Sequence, residues 1–131
     1  MENFLASWRP QLLSVLRIVI GLLITAHGTA KFLGFPVHAF NNTPATSPIG
    51  YAGMFELVLG PLVLIGLFTR PAAFILSGLC AVAYWGWHAP KSFYPLVNGG
   101  EHTVAFCFIL LYLAAAGAGP LSLDAMVRGK K

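Results

Sequence analysis

Apolar residues run in four blocks, roughly 12–33, 50–68, 72–89 and 103–119, separated by stretches rich in Pro, Gly, Asn, Thr and Ser. Each block approaches the ~20 residues an α-helix needs to cross ~30 Å of hydrocarbon. The third and fourth are short enough to need local bilayer thinning or interfacial aromatics. Between the first two blocks lies a polar loop, 34–49, and the second and third are joined by a tight hairpin at Thr69-Arg70-Pro71. The 90–102 loop holds Pro90, Pro95 and Asn98-Gly99-Gly100, and a polar tail, Asp124 to Lys131, follows the last block. The lead, 1–11, ends in Trp8, Arg9 and Pro10, an interfacial anchor pattern. The block after it is too long for a signal-peptide h-region and reads as a retained helix. The pattern predicts an all-α four-helix transmembrane bundle, up-down-up-down, with short connections.

The polar positions inside the blocks are the informative exceptions. In the first, Arg17, His27 and Lys31 fall within about 80° of one another at ~100° per residue, with Gly21 and Gly28 on the same face. In the second, Glu56 shares a face with Gly53 and Gly60, small residues that admit a close helix neighbour. Pro61 behind it leaves the Leu57 carbonyl without its helical partner. The third block carries Ser77, Cys80, Tyr84, His88 and Lys91 at intervals of 3, 4, 4 and 3, a single polar stripe. Glu101 and His102 stand at the start of the fourth. At ~1.5 Å per residue, His27 and Glu56 lie at one depth, about 9 Å below the outer end of the first helix. An ionised group in hydrocarbon costs at least ~2.5–3.5 kcal/mol, so these residues should face the interior and pair. Glu56 with Lys31 or His27 is the expected pair. It reads either as a clasp between the first two helices or as part of a small polar pocket opening to the outer leaflet. Arg17, near the inner boundary, either snorkels to lipid phosphates or pairs inside the bundle.

Composition agrees with the pattern. The 131 residues leave room for one domain, 1–131; 57% are hydrophobic and 9% charged, against about 25% charged in soluble domains. Mean hydropathy is +0.76. The net charge of +4 therefore points to no nucleic acid; the bilayer is the expected partner. Arg9, Arg70, Arg128, Lys130 and Lys131 fall on one side of a four-helix arrangement, with Lys91 on the other and Lys31 near the boundary. That asymmetry puts both termini in the cytoplasm and the 34–49 and 90–102 loops outside.

Lesser features complete the inventory. Cys80 and Cys107 are isolated, form no C-x-x-C, and read as small core packers rather than a redox or zinc pair. Trp85, Trp87, Phe93 and Tyr94 suggest an outer interfacial belt, or the mouth of a site for a flat aromatic ligand. His27, His88 and His102 lack metal-ligand spacing, and no metal is expected.

Four motifs in order carry a resemblance. They are R-I-x-x-G-x-x-x-x-x-H-G-x-x-K from Arg17 to Lys31, G-L-F-T-R-P-A-A at Gly66–Ala73 after the Glu56 segment, N-G-G-E at Asn98–Glu101, and G-A-G-P-L-S-L-D at Gly117–Asp124. On these the chain resembles the DoxX family of small four-helix bacterial membrane proteins. The family is named for a subunit linked to quinol oxidation and thiosulfate:quinone oxidoreduction. The resemblance implies the bacterial cytoplasmic (inner) membrane and a redox component that binds quinone or quinol near the outer leaflet. Unlike its thiol-redox relatives, this chain has no paired cysteines. Quinone is the one cofactor expected, with His27, Lys31, Glu56, Tyr84 and His88 as ligand-binding residues and Arg17, Glu101 and His102 in structural polar pairs. Haem, flavin and Fe–S motifs are absent, so a redox role implies a partner subunit; homo-oligomers are also open. The rival reading is a non-enzymatic scaffold or transporter-like module.

Overall fold

The computed structural model describes residues 2–35, 44 and 46–128. Among them every regular element is helical, with no strand. Most of the 34–49 loop, and Lys130 and Lys131 of the charge asymmetry, lie outside the described residues. A short α1 (Glu2–Ser7) leads into α2 (Arg9–Leu33), so the lead is itself helical. Next comes α3 (Pro48–Ile65). The Ser47 hydroxyl accepts from the Gly50 amide at 3.0 Å, and Pro48 occupies the first turn, where its missing N–H is no loss. Gly66, at φ 75°, ends α3 with its own amide and that of Leu67 turned back onto Leu62. The apolar block to residue 68 is thus cut short at 65 by a left-handed glycine cap.

The next helix, α4 (Thr69–Ala83), starts three residues before the apolar block does. The carboxylate of Asp124 accepts from the Phe68 and Thr69 amides at 2.9 and 3.0 Å, capping from a distant part of the chain the orphan donors of a helix start. Thr69-Arg70-Pro71 is therefore the first turn of a helix, not a hairpin; the bend lies at 66–68. Beyond Ala83 the helix widens into a π turn, Tyr84–His88, closed by Ala89 N–H to the Tyr84 carbonyl at 2.8 Å. A one-turn α5 (Pro95–Asn98) precedes α6 (Glu101–Ala116), which Gly117 ends at φ 88°. The chain closes with α7 (Leu123–Arg128).

Two antiparallel pairs make the body: α2 on α3, and α4 on α6, with α3 against α4 between them. The first pair is close because glycine allows it. A Cβ at Gly21 or Gly28 would lie 2.5 or 2.7 Å from the backbone nitrogens of Leu64 and Leu57. Between the pairs sits a core of Ile20, Ile24, Val63, Ala72, Ala73, Leu76, Cys80, Leu110 and Leu113.

Burial is inverted relative to a water-soluble fold. Arg17, Lys31, Glu56, Ser14, Ser77 and Asn98 are buried, while Val15, Val19, Leu22, Val58, Phe74, Val82, Phe108 and Tyr112 are exposed. Apolar surface on this scale calls for lipid or another protein. Among the described residues α2 alone is long and apolar enough by itself to cross a membrane; the apolar stretches Gly50–Ile65 and Glu101–Ala116 are shorter.

Candidate functional site

The antiparallel order brings four helix ends together: the last turns of α2, the start of α3, the π turn after α4, and the start of α6. Here the two helix pairs part around a cavity of about 380 Å³. Its polar rim is His27, Lys31, Glu56, His88, His102 and Thr103; Ile24, Leu76, Leu79 and Phe106 are among its apolar walls. Lys31 Nζ donates to Glu56 Oε1 at 2.5 Å, joining α2 to α3 with both side chains buried. Gly53 makes room for the pair, because a Cβ there would sit 2.8 Å from Lys31 Cδ. The His27 and His102 rings lie parallel, 6.0 Å apart, and His88 meets His102 edge to face at 6.0 Å. Phe106 packs against both His27 and His102.

The π turn sets His88. Its wide turn lets Gly86, Trp87 and His88, three successive residues, all line the cavity; such turns recur at functional sites. His88 Nδ1 lies 3.3 Å from the Asn98 carbonyl oxygen. Asn98 is fixed in turn: its side-chain amide donates to the Ser92 carbonyl at 2.9 Å and to the Tyr84 hydroxyl at 3.2 Å, and its Oδ1 accepts from Gly100 N–H. A Cβ on Gly100 would come within 2.8 Å of His88 Cβ and Cγ, so only glycine lets this loop reach the ring.

The family profile of DoxX matches residues 12–89. The chain belongs to the DoxX family. Its sequence is 41% identical to an uncharacterized protein of Haemophilus influenzae over 93% of this chain and 95% of the relative. A Mycobacterium tuberculosis relative, described as an uncharacterized membrane protein, is 26% identical over 88% of this chain and 80% of its own. A Bacillus subtilis relative, named as a candidate oxidoreductase, CatD, is 30% identical over 89% of this chain and 88% of its own. No solved structure matches the chain significantly.

In this DoxX membrane protein several residues stand elsewhere than the spacing suggested. Tyr84 does not line the cavity; its hydroxyl donates to the Phe93 carbonyl at 3.2 Å and holds the loop. Its ring stacks on that of His88, with centroids 6.3 Å apart, so it backs a cavity residue without lining the cavity itself. His102, assigned a structural pair, faces the cavity instead. Glu101 is exposed in the first turn of α6 and joins no ion pair among the described residues; a helix N-terminus favours an acidic side chain there without one. Cys80 lines the cavity, Cys107 backs onto Ser77, and both are free thiols. Trp87 is a wall residue, while Trp85, Phe93 and Tyr94 are exposed.

Arg17 does not snorkel; it is held inside the bundle, with backbone carbonyls as its hydrogen-bond partners. It is 1% exposed, and its guanidinium donates to the carbonyls of Ala118 at 2.6 Å, Leu121 at 2.8 Å and Leu64 at 3.4 Å. Ser14 Oγ accepts from Leu121 N–H at 3.1 Å. The G-A-G-P-L-S-L-D motif is thus a strap across the opposite end of the bundle, bound to α2 through Arg17 and to α4 through Asp124.

Proposed function

We propose that this DoxX protein crosses the bacterial inner membrane with α2, α3, α4 with its π turn, and α6, up-down-up-down, both termini cytoplasmic. On this reading the cavity opens near the outer leaflet and binds a quinone or quinol for a membrane redox system. The observation that carries it is a buried ion pair and three imidazoles facing an apolar-walled cavity of about 380 Å³, within the ~300–1,000 Å³ of small-molecule sites. A quinone carbonyl needs a donor, and the reduced form needs a proton acceptor. Lys31, Glu56, His27, His88 and His102 offer both in a water-poor setting. The name of the Bacillus subtilis relative is consistent with redox work. The chain has no motif for an electron carrier, so the electrons would pass to a partner subunit.

One observation favours a second reading. The Lys31–Glu56 pair satisfies itself across α2 and α3, which is what a structural clasp in a scaffold or transporter-like module would do. Titration of purified protein with a short-chain quinone and its quinol separates the two. Saturable binding that Glu56→Gln abolishes, with folding intact, supports the ligand site; no binding by the wild type supports the clasp. Topology is checked by labelling single cysteines in whole cells. Thr46 and Val97 should react from outside, and Met126 only after permeabilisation.

A further inference from the structure

We infer that the cavity selects its occupant by the occupant's own hydroxyl donor, because the N-G-G-E loop fixes His88 with its outer ring nitrogen as an acceptor. The inference rests on the cavity being a ligand site. A backbone carbonyl oxygen can only accept, so the 3.3 Å contact with Asn98 requires the proton of neutral His88 on Nδ1. The lone pair is then on Nε2, which makes no hydrogen bond among the described residues and belongs to a ring on the cavity wall.

The loop holds that arrangement firmly. Asn98 is 5% exposed, with its side chain bound to Ser92, Tyr84 and Gly100. Gly100 lies close beside His88, where a Cβ would come within 2.8 Å of His88 Cβ and Cγ, and the other tautomer would set an Nδ1 lone pair against the Asn98 carbonyl. Ring orientation held from behind in this manner is how proteins assign roles to the two imidazole nitrogens. An occupant that covers the half-buried His88 ring without offering a donor leaves Nε2 unmet, and an orphaned polar group is what makes such sites discriminate. The favoured class is a flat apolar ring bearing a hydroxyl: a phenol or, among quinone-type ligands, the quinol rather than the quinone. Asn98 and Gly100 are positioning residues that act through His88.

The test uses 1-naphthol and 1-methoxynaphthalene, two rings of one shape of which the ether keeps the oxygen and loses the donor. Calorimetric titration of the full chain in detergent should show the naphthol bound about tenfold more tightly. In His88→Phe that preference should fall to near unity. Asn98→Ala should lower it part of the way. Nitrogen NMR of 15N-histidine-labelled protein should show the Nδ1–H form for the signal that His88→Phe removes. Equal binding of the two rings by the wild type overturns the inference and leaves the cavity as a ligand site. A preference that survives His88→Phe, or an Nε2–H signal, also overturns it. Failure of both rings and of quinone to bind overturns the inference and the ligand-site reading together.

Discussion

The two ends of the bundle bury similar residue types and use them in opposite ways. At the strap end, Arg17 sits among the carbonyls of Leu64, Ala118 and Leu121, and Asp124 caps α4. The backbone there supplies all of these partners, and a second cavity beside Thr69 and Asp124, about 300 Å³, takes in neither Arg17 nor Leu64 and Leu121, whose carbonyls it binds. At the cavity end, Lys31, Glu56 and three imidazoles stand around open volume. Buried polar groups saturated by the main chain rigidify a fold. Polar groups turned towards a chamber contribute less to holding the fold and more to whatever enters. Mutations at the two ends should therefore separate stability from binding.

The largest effect is expected at Arg17. Arg17→Met removes three hydrogen bonds and orphans buried carbonyls, each worth about 1–3 kcal/mol, so the loss should reach about 3–5 kcal/mol. Thermal unfolding in detergent would record it. Arg17→Lys should recover a minor part, since an ammonium cannot span three carbonyls as a planar guanidinium does. An unchanged melting temperature in Arg17→Met would mean that the strap does not lock the bundle, and the contrast between the ends would lose its first half.

Next come Lys31 and Glu56. Breaking a buried pair by removing one member typically costs ~3–5 kcal/mol. Lys31→Met and Glu56→Gln should each destabilise by about 3 kcal/mol, and the double variant by much less than the sum, because no orphan charge remains. Additive losses would show that the two side chains are not energetically one unit, whatever their geometry.

Much of this was legible in the sequence, for reasons that lie within single helices. The face shared by Arg17, His27 and Lys31, and the small residues around Glu56, follow from helical period alone, and Glu56–Lys31 was one of two pairings they allowed. What was not legible depends on contacts far apart in the chain. Nothing near Arg17 announces that residues 118–121 supply its acceptors, about a hundred positions away. The cap that Asp124 places on α4 is invisible for the same reason. Tyr84 is kept off the cavity by the loop that binds its hydroxyl, through Phe93 and Asn98, and the aromatic run at Tyr84–His88 carries no mark of a π turn. Asn98 sat inside a recognised motif, yet its part in holding His88 shows only once the loop is folded back on the π turn.

Between the ends, the glycine contact offers an intermediate effect. Gly28→Ala places a Cβ 2.7 Å from the Leu57 backbone nitrogen, so α2 must shift off α3 beside Glu56. Overpacking of this kind costs ~1–3 kcal/mol. Gly34→Ala, where nothing lies within 4 Å, meets no such obstruction, and any cost there comes from its left-handed φ of 71°. Chemical denaturation should rank Gly28→Ala as the more harmful and show weakened ligand binding in it alone. The reverse ranking would mean that the α2–α3 backbone contact is looser than its geometry.

The smallest effect on stability, and the sharpest on function, should be at His102. Its ring is exposed on the cavity side of α6 and contacts His27, His88 and Phe106 through ring faces and edges. Its hydrogen-bond reach is limited to Thr103 Oγ1 at 3.4 Å, a long contact with its own neighbour. His102→Leu keeps bulk against Phe106 and orphans no buried partner, so unfolding should change by no more than about 0.5 kcal/mol. The cavity meanwhile loses one of its three imidazoles. Quinol affinity should fall about fivefold or more, a ratio set by one exposed hydrogen bond of ~1 kcal/mol. Paired melting and titration of this single variant set the two ends directly against each other. If His102→Leu destabilises as much as Arg17→Met, the cavity end is held together like the strap end, and its polar ring is structure rather than a binding surface.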